Sequence, residues 1–191
     1  MSDKTLEALQ NHLCKFIVPF TQSELGGPGS SFKIIDEKSS YQVVISLGYP
    51  SDRSGKELVG KLKAHTESLN LDKELNFIVD WSVSPHTVQH GLKPLDGVSN
   101  VVAISSGKGG VGKSTVTVNL ALALAQEGAR VGILDADIYG PSQPRMLGLL
   151  GKKPETMDGK TLEPLEAHGI KAMSIGFLID ESQPMAWRGP M

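Results

Sequence analysis

Apolar side chains at Leu6, Leu9, Leu13, Phe16 and Ile17 recur at the spacing of a helix with one buried stripe. Asp3 or Thr5 is available to cap this predicted helix over 3–17, and Pro19 stops it. Residues 26–31, Gly-Gly-Pro-Gly-Ser-Ser, hold too many chain breakers for anything but a loop. The period then shortens: 32–35 and 41–47 are runs of β-formers joined by the polar stretch 36–40, which predicts a hairpin. After a turn at 48–51, Leu58, Val59, Leu62 and Leu69 restore helical spacing over 52–71, and 77–83 reads as a strand. The order helix, strand, strand, helix, strand predicts a small α+β domain over 1–84.

Residues 84–100 carry two prolines, two histidines and two glycines without periodicity, so 85–98 is read as a linker. His86 and His90 stand four apart, but in an irregular, proline-flanked segment with no further ligand nearby they read as solvated linker histidines. Beyond the linker the pattern is that of a parallel α/β unit. An apolar run at 101–104 predicts a strand, a glycine-rich turn follows, and an Ala/Leu-rich helix spans 114–126 until Gly128 ends it. Residues 131–135 then read as a second buried strand, finishing in Asp135-Ala136-Asp137. A short helix within 141–150 and a strand over 169–175 complete the pattern. One such unit and a further strand or two do not close a nucleotide-binding sheet. The predicted fold class is therefore α/β: a P-loop NTPase parallel sheet over 99–191, incomplete at its C-terminus, preceded by the small α+β domain.

The candidate chemistry sits where the first strand meets the helix. From Gly107 the residues fit G-x-x-x-x-G-K-[ST], ending in Gly112-Lys113-Ser114. Glycines let backbone N–H groups close around phosphate oxygens, Lys113 supplies a cation, and the Ser114 hydroxyl is a ligand for Mg²⁺. The helix beginning near Gly112 turns its positive dipole end to the same point. Ligands of open α/β sheets bind beyond the carboxyl ends of the strands, so Asp135 and Asp137 are expected to point toward that phosphate site.

Composition narrows the setting. A chain of 191 residues, 39% hydrophobic and 21% charged, buries one good core or two small ones. A net charge of -2 does not favour a nucleic-acid partner. The N-terminus lacks a basic start and a long apolar segment, and no run approaches the roughly 18 apolar residues of a membrane span. No membrane partner is expected, and the cytoplasm is the expected compartment. Cys14 is the single cysteine, which excludes an intramolecular disulfide and a thiolate cage for zinc or an iron–sulfur cluster within one copy. Lying in the apolar helical pattern, it reads as a small buried filler.

A second lysine, Lys108, follows the first glycine of the loop, giving Lys108-Gly109-Gly110-Val111-Gly112-Lys113-Ser114-Thr115. This resembles the deviant Walker A signature of the MinD/ParA/nitrogenase-iron-protein class. The resemblance implies a homodimer sandwiching nucleotide, with Lys108 reaching the partner's phosphates. A cation supplied in trans would stabilise charge developing on the transferred phosphoryl group. The segment Leu134-Asp135-Ala136-Asp137-Ile138-Tyr139-Gly140-Pro141-Ser142-Gln143-Pro144, with the loop and with Trp187-Arg188-Gly189-Pro190-Met191, is similar to the Mrp/ApbC family of iron–sulfur cluster carrier ATPases. By that similarity Asp137 matches the aspartate that orients the attacking water, and Asp135 matches an aspartate near Mg²⁺, reached through water. Residues 107–115 match the binding segment for ATP, with Lys108, Lys113 and Asp137 in the catalytic roles.

The N-terminal domain resembles, more weakly, the small α+β domain that precedes the ATPase in bacterial members, on Ser23-Glu24-Leu25-Gly26, on 43–49 and on element order. It lacks the cysteine that many relatives carry near 46–51. The family's switch II segment, adenine-binding residues and the Cys-x-x-Cys pair that bridges a [4Fe-4S] cluster lie downstream of these motifs, and none is present. The resemblance implies an ATP- and Mg²⁺-dependent ATPase whose intact form carries a cluster to apo iron–sulfur proteins. The alternatives are a MinD/ParA-like positioning or partitioning ATPase and a non-catalytic nucleotide-binding fragment.

Overall fold

The structure, a computed structural model, describes residues 2–85, 93 and 95–179. The chain divides into two compact units, Met1–Val101 and Val102–Met191. In the first, helix α1 (Ser2–Cys14) ends earlier than its apolar spacing predicts. The chain leaves the helix through a tight turn and forms β1 (Ile17–Val18), paired antiparallel with β2 (Ser23–Glu24). Leaving at that point lets Phe16, Val18 and Leu25 all reach the core, with the Leu25 N–H donating to the Phe16 carbonyl at 2.8 Å. A continued helix would have turned Val18 away from it. Cys14 is half-buried at the helix end rather than enclosed.

The predicted hairpin is present as β3 (Ser30–Asp36) and β4 (Ser40–Leu47), in the register Phe32↔Ile45. Helix α2 (Ser54–Thr66) then carries the chain to β5 (Glu74–Trp81), which lies parallel to β4 with Val43 opposite Phe77. The sheet order is β3-β4-β5. Alternation along β4 sends Tyr41, Val43, Ile45 and Leu47 to one face, where they meet Leu9 and Leu13 of α1 and Leu58 and Leu62 of α2. Helix α2 ends five residues short of the predicted 71. The Thr66 hydroxyl bonds back to the Leu62 carbonyl at 2.9 Å, and Leu69 and Leu71 pack on the core from the following loop.

The second unit holds α3 (Lys113–Gln126), β6 (Val131–Asp135), α4 (Gln143–Met146), β7 (Leu165–Ala167) and β8 (Ile170–Ser174), closed by a 3₁₀ turn at Ile175–Phe177. Strands β6 and β8 are parallel, from Val131↔Ile170 to Asp135↔Ser174, and β7 pairs antiparallel with β8. The pattern in the sequence missed β7, a strand of three residues. Its hairpin loop, His168-Gly169, has φ of 53° and 75°, the mirror-image turn that matches strand twist. Val118 and Ala121 of α3 bury against Ile133, Ile170 and Ala172, with Leu147, Leu149 and Phe177 closing the core. Gly128 ends α3 with φ of 90°, as its position predicts.

One predicted strand is not formed. Residues 101–106 have no strand among the described residues, and Val101 and Val102 are 73% and 68% exposed. An apolar run becomes a strand only through a ladder partner, and β6 pairs with β8 instead. For the same reason α3 is covered on one face, leaving Val116 and Leu120 exposed. His86 and His90, and the segment 187–191, lie outside the described residues.

Leu62 is fully buried at the centre of the first core. Leu62→Ala should destabilise that unit by about 2–5 kcal/mol, whereas Ile78→Ala, on the solvent side of β5, should change stability by less than about 0.5–1 kcal/mol. Urea unfolding followed by tryptophan fluorescence reads both.

Candidate functional site

The glycine-rich loop enters α3 through two residues in the left-handed region, Gly110 at φ 73° and Gly112 at φ 91°. A side chain there is strained, so the loop depends on glycine at both. A Cβ built on Gly107, Gly109, Gly110 or Gly112 would meet nothing within 4 Å, so the loop backbone faces open space. Gly112 caps α3, its carbonyl accepting from the Val116 N–H at 2.9 Å. The first-turn N–H groups of α3 therefore have no partner within the helix.

Lys113 and Ser114 are half-buried in that first turn, while Lys108, Gly109, Val111 and Thr115 are exposed. The Lys108 carbonyl accepts from the Ser106 hydroxyl at 2.8 Å, which shapes the loop just before its glycine pair. The Lys113 carbonyl accepts from the Thr117 hydroxyl at 2.9 Å, and the Thr115 carbonyl accepts from the Asn119 side-chain amide at 2.8 Å, so this face of the helix is tied by its own side chains. The arrangement offers backbone donors, a helix dipole and ammonium groups to a polyanion.

The two carboxylates differ. Asp135, at the end of β6, accepts from the Asp137 N–H through Oδ1, and from the Gln143 N–H and the Ser174 hydroxyl through Oδ2, each at 3.2 Å. Asp137 is exposed and accepts only the Gly140 N–H, at 3.1 Å, among the bonds described. One carboxylate is thus held in place and the other stands in the loop. Ser114 and Asp135 are brought together by Gln143, whose side-chain amide donates to the Ser114 carbonyl at 3.1 Å. A serine hydroxyl and a carboxylate are hard oxygen donors, whose chemistry fits Mg²⁺ beside phosphate. Among the described residues no group of three or more His, Cys, Asp or Glu side chains could hold a metal by itself.

Gln143 and Ser174 are absent from the site the sequence predicts. Ser174 left a trace: Ile170, Ala172 and Ser174 share the buried face of β8, and a polar side chain in an apolar register requires a partner. Gln143 left none, because its partner Ser114 lies 29 residues away.

A glycine loop opening a helix, with carboxylates at the end of a parallel strand, defines a P-loop nucleoside-triphosphatase. Residues 97–191 match the family model described as ParA, NUBPL iron-transfer P-loop NTPase. A protein of Pseudomonas fragi named iron-sulfur cluster carrier protein is 59% identical over 114 residues, 59% of this chain and 40% of that protein. One of the same name from Synechocystis sp. is 64% identical over 97 residues, 49% of this chain and 28% of that protein. A third, from Bacillus subtilis, is 39% identical over 182 residues, 91% of this chain and 51% of that protein. The chain belongs to the Mrp/ApbC family, and it spans about half or less of the length of these curated relatives. A solved structure of a nucleotide-binding protein in complex with ADP from Archaeoglobus fulgidus is 55% identical over 39% of this chain and 31% of that one, with a TM-score of 0.37.

Gly112→Ala tests the loop geometry. It should cost about 1–2 kcal/mol locally and weaken binding of a fluorescent ADP analogue about tenfold or more, as measured by titration.

Proposed function

We propose that this chain binds ATP in the 107–115 loop and hydrolyses it as the motor part of an iron–sulfur cluster carrier. The observation that carries the reading is the loop with its two lysines leading into α3, with Asp135 tied back to Ser114 through Gln143. Family membership and the name shared by the relatives support the cargo. The division of labour proposed along the chain is an α+β domain over 1–84, a linker over 85–98 and the nucleotide-binding segment over 99–191.

In this reading Lys113 and the backbone N–H groups of 109–115 hold the phosphates, and their exposed, uncrowded backbone supports that role. Ser114 is the direct ligand for Mg²⁺ and Asp135 acts on it through water. Three internal donors already engage the Asp135 carboxylate, which suits an outer position. Bound there, Mg²⁺ would neutralise charge on the β- and γ-phosphates. Asp137, exposed and lightly bonded, has a carboxylate free to orient the attacking water in line with the γ-phosphate. Lys108, on the exposed side of the loop, is the cation that a second copy's nucleotide would meet, so turnover requires a homodimer.

The cargo proposed is a [4Fe-4S] cluster, delivered in the cytoplasm to apo iron–sulfur proteins. This chain contributes the nucleotide machinery to that task; its single cysteine, Cys14, makes no Cys-x-x-Cys pair.

ATP turnover by the purified chain with Mg²⁺ tests the reading. Hydrolysis should fall to background in Lys113→Ala and on chelation of the metal. Lys108→Ala should retain nucleotide binding while losing turnover by about 10²-fold or more, with ATP no longer shifting the sedimentation coefficient toward a dimer. Turnover insensitive to Lys113→Ala would refute the site.

A further inference from the structure

Gln143 is 3% exposed, and no apolar requirement explains an amide there. A primary amide offers two donors and two acceptor sites. Here the Nε2 group donates to the Ser114 carbonyl at 3.1 Å, while Oε1 is buried with no hydrogen-bond partner among the described residues. An unpartnered buried carbonyl costs about 1–3 kcal/mol, and a methionine of nearly the same length would fill the position without that cost. The position therefore holds a group that penalises packing and returns one specific bond.

That bond has a particular address. The main-chain N–H of Gln143 donates to Asp135 Oδ2 at 3.2 Å, so a single residue grips the end of β6 with its backbone and the first turn of α3 with its side chain. Asp135 is otherwise held by the Ser174 hydroxyl, which itself accepts the Gly176 N–H at 3.1 Å. Gly176 lies so close to Pro141 and Pro144 that a Cβ would come within 3.0–3.2 Å of their rings, so the segment bearing Gln143 is backed by β8 and its closing turn. The spacing between Ser114 and Asp135 is thus set by Gln143 against a firm support.

We propose that Gln143 is a positioning residue for the metal–nucleotide complex: it holds the Ser114 and Asp135 oxygen donors in the mutual placement that Mg²⁺ requires, without itself touching the metal. This rests on the reading of 107–115 as a nucleotide loop with Mg²⁺ at Ser114. Mg²⁺ demands nearly ideal octahedral geometry, so small displacements of its ligands are felt in metal affinity before they are felt in phosphate binding. The loop's hold on phosphate rests on Lys113 and on the backbone N–H groups of 109–115, and of these only the Thr115 N–H shares the peptide whose carbonyl Gln143 grips.

Gln143→Met in the full 191-residue chain separates these effects. A fluorescent ADP analogue is titrated in EDTA and in rising Mg²⁺, and the ligand-free chain is melted alongside. The Mg²⁺ concentration for half-maximal enhancement of binding should rise about tenfold. Affinity in EDTA should stay within about twofold, and the ligand-free melting temperature should hold or rise, because an unpartnered buried oxygen has been removed. Gln143→Leu, shorter and branched, should show the same selective loss. The inference is overturned if the Mg²⁺ titrations of both variants overlay the parent's within twofold. It is equally overturned if EDTA affinity and ligand-free melting fall together, or if both variants lose the fold, since each marks a packing role. A parent chain that binds no nucleotide, or binds it without regard to Mg²⁺, sinks the functional reading itself and this inference with it.

Discussion

The carboxylate of Asp135 is the point on which the nucleotide-binding unit turns. It receives donors from the loop after β6, from the start of α4 and from the end of β8, and through Gln143 it is joined to the first turn of α3. These parts of the chain share one apolar core, and at the end of β6 they meet at one oxygen pair. A half-buried carboxylate without such donors would be poorly placed. With them it becomes a fixed anionic post at the end of a parallel strand, where open α/β sheets present their ligands.

The parallel pairing of β6 and β8 makes that post possible. Its register sets Asp135 opposite Ser174, so the last rung of the ladder is a polar one, directly above the apolar rungs of Ile133 with Ala172 and Val131 with Ile170. A slip by one residue would turn Ser174 out of the core and leave Asp135 facing an apolar neighbour. The two-residue hairpin at His168-Gly169 sets the register of β7 against the other side of β8, with Ala167 opposite Ile170.

The first unit is governed by burial alone. One face of β3-β4-β5 is sealed by α1 and α2, and its polar bonds sit at the margins: Tyr41 to Asp72 at 2.9 Å, the Trp81 indole to Asp52 at 2.6 Å, and the pairing of Lys73 with Asp36. Each of these joins the sheet, or a strand end, to a loop, holding the connections while the apolar core holds the layers. Cys14 lies half-buried and unpaired at the end of α1.

Much of this was legible along the chain because it depends on local chemistry. The glycine loop, its two lysines, the helix behind it and the aspartates after β6 are contiguous patterns whose backbone requirements are met within a few residues. The hairpin of β3 and β4 and the stop at Gly128 are equally local. The sequence could not decide which apolar run finds a ladder partner: 101–104 has the composition of a strand and is not one, whereas 165–167 is too short to announce itself and is. Nor could it reveal that Gln143, an ordinary polar residue at the start of a short helix, lies buried against Ser114. Strand pairing and polar burial are settled by neighbours distant in sequence, since a hydrogen-bond partner exists only once the fold has brought it within reach. The chain alone therefore determined that a glycine-rich turn bearing two lysines would open a helix; tertiary structure decided how Ser114 and Asp135 are held to one another.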